Sequence, residues 1–154
     1  MKPIEAIQGV PNACAPLPHL VTGGQPTPAH LAQLKEAGIG LVLDIRDPAE
    51  PRGFDEPATL QTLGIPYRNI VVNAGTMTSE TLEQITGVLR AHKDQEVFFH
   101  CGSGARVGAA MLPYLVLDQG MSREEAVQVS INIGLRAPEM LHWGFAYLDQ
   151  QDKA

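Results

Sequence analysis

Cys101 and Arg106 carry the chemistry that can be read most directly from the chain, with Gly102, Ser103, Gly104 and Ala105 between them. A cysteine is a nucleophile as its thiolate, and an arginine presents a planar fork that matches two oxygens of a tetrahedral oxyanion. The two glycines let the intervening backbone curl so that its N–H groups point inward, as an anion-binding concavity requires. Val97-Phe98-Phe99-His100 reads as a buried strand before the cysteine, and Val107 onward reads as a helix. The cysteine is therefore expected at the carboxyl end of a strand, where open α/β sheets bind ligands, and at a helix start, which favours anions. The same field favours thiolate over thiol, so one loop both makes the nucleophile and binds the group it attacks. Reading Cys101 as an ordinary buried cysteine leaves both glycines and the arginine without a reason. A zinc site built from Cys14, His19 and the adjacent His100 and Cys101 fits poorly, because the spacing is irregular and neighbouring residues seldom ligate one ion well.

The elements that must position this loop follow from punctuation and periodicity. Residues 1–19, rich in proline, read as an irregular lead-in. Thr27-Pro28 opens a helix that faces inward through Leu31 and Leu34 and stops at Gly38. Ile39 to Ile45 is a nearly continuous apolar run, the pattern of a strand buried on both faces. A helical piece at about 58–63 ends at Gly64, and a strand is expected over Tyr67 to Val72. Leu82, Ile85, Val88 and Leu89 mark the inner face of a helix over Ser79 to His92. After the cysteine loop a helix runs to about Gln119, with a kink at Pro113. Ser122 and Glu125 form a capping box for the next helix, which Gly134 closes, and a last helix starts near Pro138. Alternation of helix and strand points to one α/β domain: a four-to-five-stranded, mostly parallel sheet flanked by helices.

Composition bounds the rest. In 154 residues, 44% hydrophobic and 18% charged, there is room for one packed domain. The net charge of −6 comes from 17 acidic and 11 basic residues with no basic cluster, which argues against a nucleic-acid partner. An anionic substrate would have to be met locally by a few groups. Two cysteines give no disulfide framework. No run is apolar enough for a signal peptide or a membrane span, so a reducing, cytoplasmic setting is expected, with no membrane partner.

On these residues the chain resembles the Cys-based protein tyrosine phosphatase superfamily, whose signature is His-Cys, a Gly-containing loop and Arg. It is most similar to bacterial dual-specificity-phosphatase-like domains, including those called beta-lactamase-hydrolase-like. The likeness extends from about Leu20 to Leu148 through Gly24-Gln25-Pro26, Ala37-Gly38-Ile39, Asp44-Ile45-Arg46, the His100–Gly108 segment and Glu124-Glu125-Ala126, so residues 20–150 are expected to form a phosphatase-like domain. It implies hydrolysis of a phosphate monoester, on a protein or a small molecule, without metal or cofactor. Cys101 and Arg106 would be catalytic, with Gly102, Ser103, Gly104 and Ala105 binding the phosphoryl oxygens and His100 supporting the loop.

Three features depart from the family pattern. Its loop usually has one more residue between cysteine and arginine. Val107 stands where a hydroxyl usually helps the thiolate leave; Ser103 is a substitute. The segment 73–78, where the family keeps its acid, has no carboxylate. Asp44, Asp47 and Asp55 are the substitutes, Asp47 preferred because its strand is expected beside that of Cys101. The short loop, and Asp44, Arg46 and Glu50, also resemble rhodanese-type sulfurtransferases, which would use a Cys101 persulfide. Two glycine-containing rhodanese segments are absent, and helices follow the loop instead. A phospho-group-binding domain with little catalysis is the third reading.

Overall fold

The chain was analysed as a computed structural model that describes residues 1–153. Strand β1 (Cys14–Leu17) pairs antiparallel with β2 (Leu20–Gly23). The other strands, β3 (Leu41–Asp44), β4 (Tyr67–Asn69) and β5 (Val97–His100), join β2 in parallel, giving the order β1-β2-β5-β3-β4. The cysteine strand β5 is thus central, flanked in parallel by β2 and β3.

Its neighbours bury both faces. Val42 and Phe98 point to one side, against α1 (Pro3–Ala6), α2 (Pro28–Glu36) and α3 (Glu56–Leu63). Leu41, Leu43 and Phe99 point to the other, against α4 (Ser79–Ala91), α5 (Ala105–Ala110), α6 (Leu112–Leu117), α7 (Arg123–Ile133) and α8 (Pro138–Lys153). This is why β3 and β5 are apolar without alternation. Phe98 and Phe99 are fully buried, and each contributes about 1.5–3 kcal/mol by leaving water. Among the described residues no helix is long and apolar enough to cross a membrane.

The caps expected at Thr27 and Ser122 are present, and Asp55 and Thr78 add two that were not expected. Thr27, Asp55, Thr78 and Ser122 each accept a backbone N–H from the first turn of their helix. Pro113 lacks the N–H that would continue the ladder, and the expected single helix divides at Met111 into α5 and α6. The strand expected over Tyr67 to Val72 is regular only to Asn69, but Ile70 and Val72 still donate to Asp44 and Ile45.

The N-terminal segment corrects the expectation of an irregular lead-in. Residues 3–6 are helical and residues 14–17 form the edge strand. Pro16 sits in that strand because an edge does not need every N–H for pairing.

Candidate active site

Cys101 lies one residue beyond β5 and is 1% exposed. Its own N–H is held by the Gly23 carbonyl at 3.2 Å. Its Sγ accepts the Gly104 N–H at 3.1 Å, which closes the loop over the sulfur. Gly104 has φ +102°, a conformation a side chain rarely adopts. The loop is braced by the chain after β2: Gln25 N–H donates to the Gly102 carbonyl at 3.0 Å. A Cβ on Gly24 would stand 2.5 Å from that carbonyl oxygen, so only glycine allows the approach. Ser103 is exposed, and its Oγ accepts from Ala105 N–H at 3.4 Å rather than meeting the sulfur. Val107, at the position where a hydroxyl was sought, is fully buried in the core.

Arg106 reaches across the site to Glu50. Nη1 and Nη2 donate to the two Glu50 oxygens at 2.8 and 2.9 Å, and Nη1 also donates to the Val72 carbonyl at 3.0 Å. Of the five N–H groups of a guanidinium, these bonds occupy three. The Nε–H and one Nη2–H remain as a side-on fork beside the loop, where a Cβ on Gly102 would be 3.2 Å from Nη2. Glu50 also accepts from Arg46 Nε at 3.1 Å and Asp47 N–H at 2.9 Å. The Arg106 hydrogen bonds are the main reason its carboxyl falls to about 2, against the effect of burial. Glu50 gives most help in holding Arg106 charged; burial opposes it, and the nearby Cys101 adds to it.

The candidate acids are all engaged. Asp47 accepts from Ala49 N–H at 2.9 Å and from Asn73 Nδ2 at 3.0 Å. Those bonds, the backbone one first, hold its carboxyl below the usual range. Asp55 caps α3 through Ala58 N–H. Asp44 is fully buried and accepts from Arg46 N–H, Arg52 Nη1 and the Tyr67 hydroxyl. Arg136 and His142 on the C-terminal side are both exposed; Arg136 donates to the Ile131 and Leu135 carbonyls.

Beneath the loop lies a buried ionic cluster that the sequence did not announce. His100 spans from the Cys101 carbonyl (Nδ1, 3.1 Å) to Glu56 Oε2 (Nε2, 2.6 Å) and stacks on Phe98. Burial pushes the Glu56 carboxyl up, but His100, Gln25 and Arg52 together outweigh it and hold it low. Asp44, Glu56 and His100 bring ligand atoms within 4.8 Å of one another. Arg52 Nη1 lies 2.6 Å from Asp44 and 3.0 Å from Glu56, so a side-chain cation already meets both carboxylates.

No model of a known protein family matches the chain, and no curated protein sequence matches it. Solved structures do. A candidate phosphatase (DUF442) from Shewanella putrefaciens CN-32 is 23% identical, with a TM-score of 0.79 over 96% of this chain and 97% of that one. Tk-PTP in a mutant form is 17% identical, with a TM-score of 0.76 over 92% of this chain and 97% of that one. P. aeruginosa TpbA in complex with pTyr is 15% identical, with a TM-score of 0.63 over 87% of each chain. The likeness is one of fold: a single α/β domain of the protein tyrosine phosphatase type.

Proposed function

We propose that, on this phosphatase fold, the chain hydrolyses phosphate monoesters through a cysteinyl-phosphate at Cys101. One observation carries the reading: the sulfur and the side-on fork of Arg106 border the same loop, whose Gly104 N–H already meets the sulfur. The fork and the loop amides of Gly102 to Ala105 would hold the phosphoryl oxygens. The thiolate attacks phosphorus in line with the ester oxygen; the S–P bond forms as the P–O bond breaks and its electron pair leaves with the oxygen. Water then attacks phosphorus, its proton passing to the phosphate, and the S–P pair returns to sulfur. Positioning and charge stabilisation are most of what phosphoryl transfer asks of a protein.

The acids near the site favour an aryl ester. Asp47 and Glu50 both ionise below their ordinary range, so above about pH 5 neither has a proton to give. An aryl oxide leaves without one; an alkoxide does not. The pTyr bound by TpbA is an aryl phosphate. Turnover is therefore expected to show no fall between pH 5 and 7 from loss of an acid proton. An activated aryl phosphate is expected to react about 10²-fold faster than an alkyl one, or more, since that is the low end of what general acid catalysis supplies. Equal rates for the two leaving groups would contradict this.

The decisive experiment follows para-nitrophenyl phosphate in the presence of a chelator, with acid quenching and mass spectrometry of the Cys101 peptide. Turnover with a phosphoryl group trapped on Cys101 is the expected result. A persulfide formed from thiosulfate, without ester turnover, would replace the reading with sulfur transfer. Vanadate binding without either would leave a binding domain.

A further inference from the structure

Asn12 lies in the turn before β1, far in sequence from the cysteine. Its Nδ2 donates to the Ser103 carbonyl at 2.7 Å. The next atom pair of that same peptide unit is the Gly104 N–H, which donates to Cys101 Sγ at 3.1 Å. In a planar trans peptide the C=O and N–H point in opposite directions. Whatever holds the Ser103 carbonyl outward therefore aims the Gly104 N–H inward. We infer that Asn12 is a positioning residue, which orients the 103–104 peptide so that its N–H meets the sulfur.

The surroundings of Asn12 fit that task. The carbonyl of Pro11 accepts from Gly24 N–H at 2.8 Å, which ties this turn to the end of β2. Asn12 adopts φ +53°, a left-handed conformation that Asn and Gly tolerate better than other residues. Its Oδ1 accepts from Arg136 Nη2 at 3.4 Å, so the two ends of the amide face partners of opposite kind. Gln25 N–H holds the preceding carbonyl, that of Gly102, in the same manner. Two successive loop peptides are thus turned by donors outside the loop. One donor comes from the chain after β2 and one from a segment that precedes the expected domain.

The inference rests on Cys101 being the nucleophile, but its test uses no phosphate ester. Alkylation of Cys101 by iodoacetamide, followed on its own peptide by mass spectrometry, reports how much of the sulfur is thiolate. The rate at about pH 6 is divided by the rate at about pH 10. Asn12→Gly keeps the left-handed turn and removes the amide; Asn12→Asp keeps the shape and sets an acceptor against the Ser103 carbonyl. The ratio is expected to fall about fivefold in Asn12→Gly, and further in Asn12→Asp, as a hydrogen bond to a charged sulfur is lost. The thermal midpoint of Asn12→Gly is expected to fall by only a few degrees, the cost of the lost hydrogen bonds. An unchanged ratio in both variants would overturn the inference. Ester turnover by the wild type separately tests the phosphatase reading.

Discussion

Cys101→Ser is expected to lower turnover of an activated aryl phosphate by about 10⁴-fold or more, the scale on which loss of a nucleophile is felt. A serine hydroxyl is not ionised at neutral pH, and it cannot form the cysteinyl-phosphate. The donors for the oxyanion are untouched: the far edge of the Arg106 guanidinium stays tied to Glu50, which leaves the side-on fork in place, and the loop stays braced by Gln25 and Gly24. Calorimetric titration with phosphate is therefore expected to give an affinity close to that of the wild type. Arg106→Ala is the contrasting variant, because it removes the fork and leaves Glu50 without its main partner. It is expected to lose both turnover and phosphate affinity. Serine activity within tenfold of wild type would remove Cys101 from the centre of the mechanism.

Arg52→Met is expected to destabilise the fold by about 3–5 kcal/mol, the cost of breaking a buried ion pair by removing one partner. Arg52 is 10% exposed and serves two carboxylates, Asp44 and Glu56, whose side chains are fully buried. For a domain of this size the loss corresponds to a fall of about 10 °C or more in Tm. The sign of its pH dependence follows from Glu56. Its carboxyl is held below the ordinary value in the fold. Its contribution is thus fully present above the unfolded pKa, about 4.3, and is lost as pH falls through the folded value. The difference between variant and wild type is expected to narrow below about pH 4. Thermal melts at pH 7 and pH 3 measure both effects. A shift under about 3 °C at pH 7 would mean that Asp44 and Glu56 find other partners at little cost.

The cysteine loop was legible because everything that defines it is local: a buried strand, a nucleophile, glycines and an arginine within a few residues. The caps at Thr27 and Ser122 and the buried strands were legible for the same reason. The edge strand β1 was hidden by Pro16 and Pro18, which read as irregular chain until a partner strand is known. Glu50 was noticed only with Asp44 and Arg46 in a rhodanese-like segment, since nothing local pairs it with Arg106, which lies 56 positions away. Arg52 and Glu56 were lost in a stretch rich in Pro and Gly, where charge reads as solvent exposure. Asp47 was favoured as the acid from its place after β3. Its bonds to Ala49 and Asn73 make it a loop cap, and Asn73 comes from the very segment where a carboxylate was sought. Ser103 and Val107 show the same limit: which way a hydroxyl faces, and whether a position is core, are properties of the assembled fold.

The loop around Cys101 is tied down from three remote places: Pro11 and Asn12, Gly24 and Gln25, and the Gly134 turn, where a Cβ would stand 2.9 Å from Gly104. None of these is its neighbour in the chain, and contacts between distant segments form late because loop closure must come first. Two of these places precede the loop in the chain and one follows it, so a chain that ends at β5 lacks the Gly134 contact, and the loop is expected to take its final shape only once α7 has docked.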